Sequence, residues 1–171
     1  MKRSSLTILL LLGCGLQLLP AQSTTFLVRH AEKADVGAGD PKDPALSAVG
    51  RARAESLADI LKDAGITAVF ATEFQRTRQT AEPLAQAAKL QVTTVPAADS
   101  AELVAQLKNT RGNALVVAHS NTLPEILQAL GTPLSVVLTE NDYDNLFIFT
   151  TGTPPHLTRL HLPAPPAPVE R

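Results

Sequence analysis

Short apolar runs alternate with longer stretches of helical period along most of this chain. The first run, Thr25-Phe26-Leu27-Val28, ends at Arg29-His30, and a later one, Ala114-Leu115-Val116-Val117-Ala118, ends at His119. Unbroken apolar runs of this length suit strands buried on both faces. Residues 68–71 read as a second strand and 90–95, by alternation, as a third. Residues 146–150 and 157–162 read as later strands around the turn residues Gly152-Thr153-Pro154-Pro155. Between the strands lie helical patterns. Ser47 is a candidate N-cap; Leu57, Ile60, Leu61 and Ala64 follow at helical spacing, and Gly65 closes the segment. A helix is expected over about 76–89, kinked or split at Pro83, because proline lacks an N–H and crowds the preceding turn. Shorter helices are expected over 100–107 and 123–130, the latter ended by Gly131. Residues 33–44, with Gly37, Gly39, Pro41 and Pro44, read as a loop.

Strands alternating with helices predict an α/β fold. The expectation is one small domain over 22–162 with a mostly parallel central sheet and helices on both faces, a three-layer arrangement. The two ends read differently. Lys2 and Arg3 precede an apolar stretch over 6–12, with small residues near Ala21, which is the pattern of a signal peptide over 1–21. Leu11-Leu12-Gly13-Cys14 offers the alternative of a lipoprotein signal with an anchor at Cys14. Either implies export, to the periplasm or beyond, and no transmembrane helix in the mature chain. Cys14 is the single cysteine, so a mature chain would hold no disulfide and no thiolate metal site. The tail over 163–171 carries four prolines and reads as a poorly ordered end.

Composition narrows the function classes. Net charge is −1, and removing Lys2 and Arg3 would take it to −3. That leaves no basic field for nucleic acid. Trp is absent and aromatics make up 4% of residues, so base-stacking platforms have little material.

Candidate chemistry follows the strand ends. In open α/β sheets, ligands bind just outside the carboxyl ends of the strands. There the sequence places Arg29-His30, then Thr72, Glu73 and Arg76, then Asp99 and Glu102, then His119-Ser120-Asn121. Guanidinium groups match phosphate oxygens. A neutral imidazole is a nucleophile near pH 7. A second histidine can stabilise transferring phosphate, and a carboxylic acid can protonate the leaving alcohol. This set describes phosphoryl transfer through a phosphohistidine without a metal or other cofactor. His156 and His161 alternate with apolar residues on a late strand and receive no role.

Three motifs in order carry a resemblance: Phe26-Leu27-Val28-Arg29-His30-Ala31-Glu32, then Arg76-Thr77-Arg78-Gln79-Thr80-Ala81, then Val116-Val117-Ala118-His119-Ser120-Asn121. Together with Leu46-Ser47-Ala48-Val49-Gly50, they resemble the histidine phosphatase superfamily, the branch of the phosphoglycerate mutases and small phosphohistidine phosphatases. The resemblance covers roughly residues 24–150. It implies that His30 is the nucleophile and that Arg29, Arg76 and His119 complete the phosphate pocket. Ala31 stands where members often have Gly, and Ser120-Asn121 replaces a Gly that often follows the second histidine. The family's proton-donor Glu has no unambiguous match. Asp99 is the first choice for that role, Glu102 the second and Glu73 the third, with no dedicated donor as the remaining alternative. Short connections imply an open pocket for a small phosphate ester or a phosphorylated envelope component. Two other readings stay open. One is a non-catalytic anion-binding or envelope-interaction domain, which would not need a reactive His30. The other is a metal-dependent hydrolase using His30, Glu32, His119 and Asp99, disfavoured by the guanidinium groups nearby.

Overall fold

The computed structural model describes residues 23–35, 37, 40–132 and 135–165. The expected signal segment over 1–21, Cys14, and the tail from 166 lie outside the described residues. Six strands form one sheet: β1 (Thr24–Arg29), β2 (Ile66–Ala71), β3 (Val92–Thr94), β4 (Asn113–Ala118), β5 (Asn145–Thr150) and β6 (His156–His161), in the order β3-β2-β4-β1-β5-β6. The first four run parallel, and β5 and β6 join as an antiparallel hairpin beside β1. Four helices cover the sheet: α1 (Ala48–Leu61), α2 (Gln75–Ala88), α3 (Ser100–Asn109) and α4 (Thr122–Ala129).

The apolar runs are continuous because both faces of the central strands are covered. Val28, Val69, Leu115 and Val117 point to the α1–α2 side with Leu57, Leu61 and Leu84. Their neighbours Leu27, Phe70 and Val116 point to the α3–α4 side with Leu103, Leu107, Leu123 and Ile126. Successive residues alternate between the two faces, as a pleated strand requires. The expected three-layer fold is therefore the one formed.

Ser47 caps α1 as expected, its hydroxyl accepting from the Gly50 N–H. Three local expectations need correction. Pro83 does not split its helix; α2 runs unbroken through it. Pro83 and Gln79 both line an open groove between α1 and α2. The third strand is shorter than 90–95, because Leu90 belongs to the end of α2. Lys89 takes the left-handed conformation (φ 57°), and the Leu90 N–H donates to the Ala85 carbonyl. The second strand starts earlier, at Ile66.

Register sets the site. Arg29 pairs with Ala118, and Ala71 pairs with Val117, so β1, β2 and β4 end almost level. His30, Thr72 and His119 are the residues that follow. The antiparallel β5 begins at this same edge, where Leu146 faces Val28.

Candidate active site

His30 continues the ladder by one bond, its N–H donating to the Ala118 carbonyl. The residue is 3% exposed. Its Nδ1 lies 2.8 Å from the Ala31 carbonyl, an acceptor only, so Nδ1 carries the proton and Nε2 holds the lone pair. Burial pushes its pKa from 6.5 down to about 3; the Ala31 carbonyl works against this, and Arg29, His119 and Arg76 add to it. His30 is therefore a neutral imidazole at pH 7 that keeps its Nε2 lone pair. Ala31 replaces glycine at no backbone cost, since its φ is not positive, and its N–H donates to the Thr80 hydroxyl.

Two guanidinium groups flank the imidazole. Arg29 is almost wholly buried; its Nη1 donates to the Thr139 carbonyl, its Nη2 to Glu140, both at 2.8 Å, and its face lies 4.3 Å from the centre of the Tyr143 ring. Arg76 lies over the Phe74 ring at 4.3 Å and is held loosely by Asp43 at 3.8 Å. Both leave a buried Nε–H without a partner among the described residues. Two orphaned donors beside a neutral imidazole favour an anion with several oxygens, because an unmet buried donor costs roughly 1–3 kcal/mol.

His119 stands edge-on to His30, with ring centres 5.3 Å apart, and Phe74 packs against its other side. Burial pushes its pKa from 6.5 down to about 4, Arg76 and Arg29 reinforce this, and Glu73 and Glu140 oppose it. The structure thus brings Arg29, His30, Arg76 and His119 together. Arg78, two residues from Arg76, points to solvent.

The expected donor carboxylates are placed differently. Asp99 caps α3, its carboxylate accepting from the Glu102 N–H, and it shares a narrow crevice with Thr72. Glu102 is exposed on α3 and accepts from Gln106. Glu73 accepts from the Ala97 N–H, and its field reaches both His119 and Arg76. Glu32 forms a forked ion pair with Arg53 at 2.6–2.9 Å.

Sequence reading missed Glu140 and Tyr143. Glu140 accepts from Ser120 at 2.7 Å as well as from Arg29, and the Ser120 hydrogen bond, then Arg29 and Lys33, hold its carboxyl below the usual range. The missing signal was strand direction. An antiparallel strand brings its start, not its end, to the site, so the segment before β5 had to be counted too.

Among the described residues, no group of three or more His, Cys, Asp or Glu side chains is gathered for a metal. Nor is any described helix long and apolar enough to cross a membrane.

The histidine phosphatase superfamily (branch 1) model matches residues 25–103, the stretch that supplies Arg29, His30 and Arg76. Over that stretch the chain is similar to this superfamily. The fold is similar to that of the protein histidine phosphatase SixA, solved with tungstate (TM-score 0.63, 20% identity, 81% of this chain and 96% of that one). It is also similar to that of a mycobacterial glucosyl-3-phosphoglycerate phosphatase solved with VO3 (TM-score 0.66, 16% identity, 82% and 100%). A structure named mycobacterial hydrolase 2 has the same fold (TM-score 0.64, 15% identity, 84% and 91%). No curated protein sequence matches this chain significantly. His119 lies outside the matched stretch and stands beside His30, with ring centres 5.3 Å apart.

Proposed function

We propose that this protein is an exported phosphatase that hydrolyses phosphomonoesters through a phosphohistidine on His30. The observation that carries the reading is His30 itself, neutral, with its Nδ1 proton committed to Ala31 and two buried guanidinium Nε–H groups unmet nearby. In the first step the Nε2 lone pair attacks phosphorus. The N–P bond forms as the ester P–O bond breaks, and the departing oxygen takes a proton. Water then attacks phosphorus, the P–N bond breaks, and inorganic phosphate leaves. Arg29 and Arg76 offer donors to the phosphoryl oxygens, as does His119 once it is protonated, and these oxygens carry the charge of the transition state. No metal or other cofactor enters the scheme.

Asp99 was the donor expected from sequence; its carboxylate accepts a backbone N–H, as does that of Glu73, so this engagement does not separate them. Glu73 is the better candidate, because its field reaches both His119 and Arg76. Glu140 is held as a carboxylate and is not the resting proton source. Export is part of the same proposal; it rests on the signal-like segment over 1–21 and is checked by the mass of the mature N-terminus.

The test is chemical. Acid-quenched protein turning over a labelled ester should carry acid-labile, base-stable phosphate, and His30→Ala should lose both label and activity. Wild-type label on another residue would overturn the proposal. Activity should survive exhaustive EDTA treatment; loss restored only by a divalent ion would favour metal-dependent hydrolysis. A domain that binds phosphate but never labels would be the non-catalytic anion binder.

A further inference from the structure

A chain of buried hydroxyls decides which nitrogen of His119 carries a proton. His119 Nε2 lies 2.9 Å from Thr72 Oγ1, which lies 2.9 Å from Thr77 Oγ1. Thr77 Oγ1 in turn lies 2.7 Å from the Phe74 carbonyl and 3.1 Å from that of Thr72. A carbonyl oxygen only accepts, so the single hydroxyl proton of Thr77 is drawn to these carbonyls. The Thr77 oxygen is left to accept from Thr72. The Thr72 proton is then spent, and its oxygen accepts from Nε2–H of His119. Thr72, Thr77 and His119 are 6%, 0% and 7% exposed, so solvent has little part in the chain. Nδ1 is the one ring nitrogen of His119 without a partner among the described residues.

We infer that Thr72 and Thr77 fix His119 as its Nε2–H tautomer, with Nδ1 bare in the resting protein, so that an oxyanion gains a hydrogen bond from His119 only when a proton arrives on Nδ1 with it. This rests on the phosphatase reading and adds a role for Thr72 as a positioning residue. The proton comes from the ester when it binds as the monoanion and from solvent when it binds as the dianion; no bond to phosphorus changes in this step. The groups around His119 set the balance. Burial resists the proton, as do Arg76 at the start of α2 and Arg29 on β1; the neutral His30 ring stands 5.3 Å away. Glu73 before α2 and Glu140 before β5 favour it. A bound dianion adds negative charge to the second group. The low resting pKa of His119 agrees with a nitrogen that is bare until then.

The test is tungstate binding to the full chain near neutral pH, followed calorimetrically in buffers of different ionisation enthalpy. Tungstate stays a dianion across this range, so any proton taken up goes to the protein. Wild type should take up about one proton per tungstate bound, since linkage ties the two events. Thr72→Ser keeps the relay and should match it. Thr72→Val releases the tautomer, lets the neutral ring place its proton on Nδ1, and should cut the uptake well below that of wild type. Nitrogen-15 spectra of the free protein should show a bare Nδ1 and a protonated Nε2 for His119. Tungstate binding without proton uptake, an Nδ1–H signal in the free wild type, or undiminished uptake in a folded Thr72→Val would overturn the inference and leave the phosphatase reading standing. If Thr72→Val does not fold, the wild-type uptake and spectrum decide. Failure of tungstate to bind, with no label on His30, would remove both.

Discussion

Arg76 and Arg78 lie two positions apart on one helix, and their fates differ because residues at that spacing face different ways. Arg76 is largely buried over Phe74 with an unmet Nε–H, whereas Arg78 is exposed. Arg76→Ala should therefore lower kcat/KM by about 10²–10³-fold, in the range of other transition-state donors. Arg78→Ala should change it little, and steady-state kinetics would reveal the reverse ranking. The same scale separates the carboxylates. A nitrophenyl ester leaves as a stable anion and hardly needs an acid, whereas an alkyl ester does. With Glu73 as the acid, Glu73→Gln should slow alkyl phosphates by about 10²-fold or more and spare the nitrophenyl ester. Asp99→Asn should leave both rates near wild type. If Asp99→Asn instead produces the leaving-group pattern, the donor expected from sequence is the right one.

At the level of elements, α1 and α2 hold the loop that follows His30 from two sides. The N-terminus of α1 approaches so closely that a Cβ at Gly50 would sit 2.2 Å from the Glu32 carbonyl oxygen. The Ser47 N–H donates to that same carbonyl. From the other side, Thr80 of α2 donates to the Arg76 carbonyl and accepts from the Ala31 N–H. Backbone meets backbone at Gly50, so a methyl group cannot be absorbed by a rotamer change. Gly50→Ala should cost about 1–3 kcal/mol in stability, the usual range for overpacking. It should also slow phosphorylation of His30, because the loop must shift. Denaturant unfolding and single-turnover labelling measure the two effects, and an unperturbed variant would mean that α1 can withdraw freely.

For the molecule as a whole, burying two neutral histidines makes folding pH-dependent. Their folded-state pKa values, about 3 for His30 and about 4 for His119, lie below the ordinary 6.5. Between these values the unfolded chain binds more protons than the folded one, so stability falls as pH drops. It should be nearly flat above about pH 6.5 on their account. It should then decline by roughly 1.4 kcal/mol per histidine per pH unit toward pH 4. Urea midpoints measured from about pH 4 to about pH 8 should show this slope, and His119→Asn should reduce it. An unchanged slope would mean that His119 is not held neutral.

The sequence by itself determined the layers and the placement of most candidate site residues. Apolar runs at β1, β2 and β4 bury both faces, and that requirement is local and legible. The strand-end rule then put Arg29, His30 and His119 on one edge, and helical spacing separated Arg76 from Arg78. Tertiary structure decided everything that depends on who faces whom. Leu90 joined the end of α2, where Lys89 turned left-handed, which alternation in 90–95 cannot reveal. Glu140 and Tyr143 entered the site because β5 runs antiparallel and delivers its N-terminal side to that edge. Asp99 was drawn into a capping role by the start of α3, and Glu32 into an ion pair with Arg53. The proton on His119 was settled by two threonines from β2's end and α2, far from it in sequence and linked to it through contacts of 2.9 Å in the fold. Hydrogen bonds act over about 3 Å and have a direction. Sequence spacing fixes which residues are available for them, and only the packed chain fixes which pairs are made.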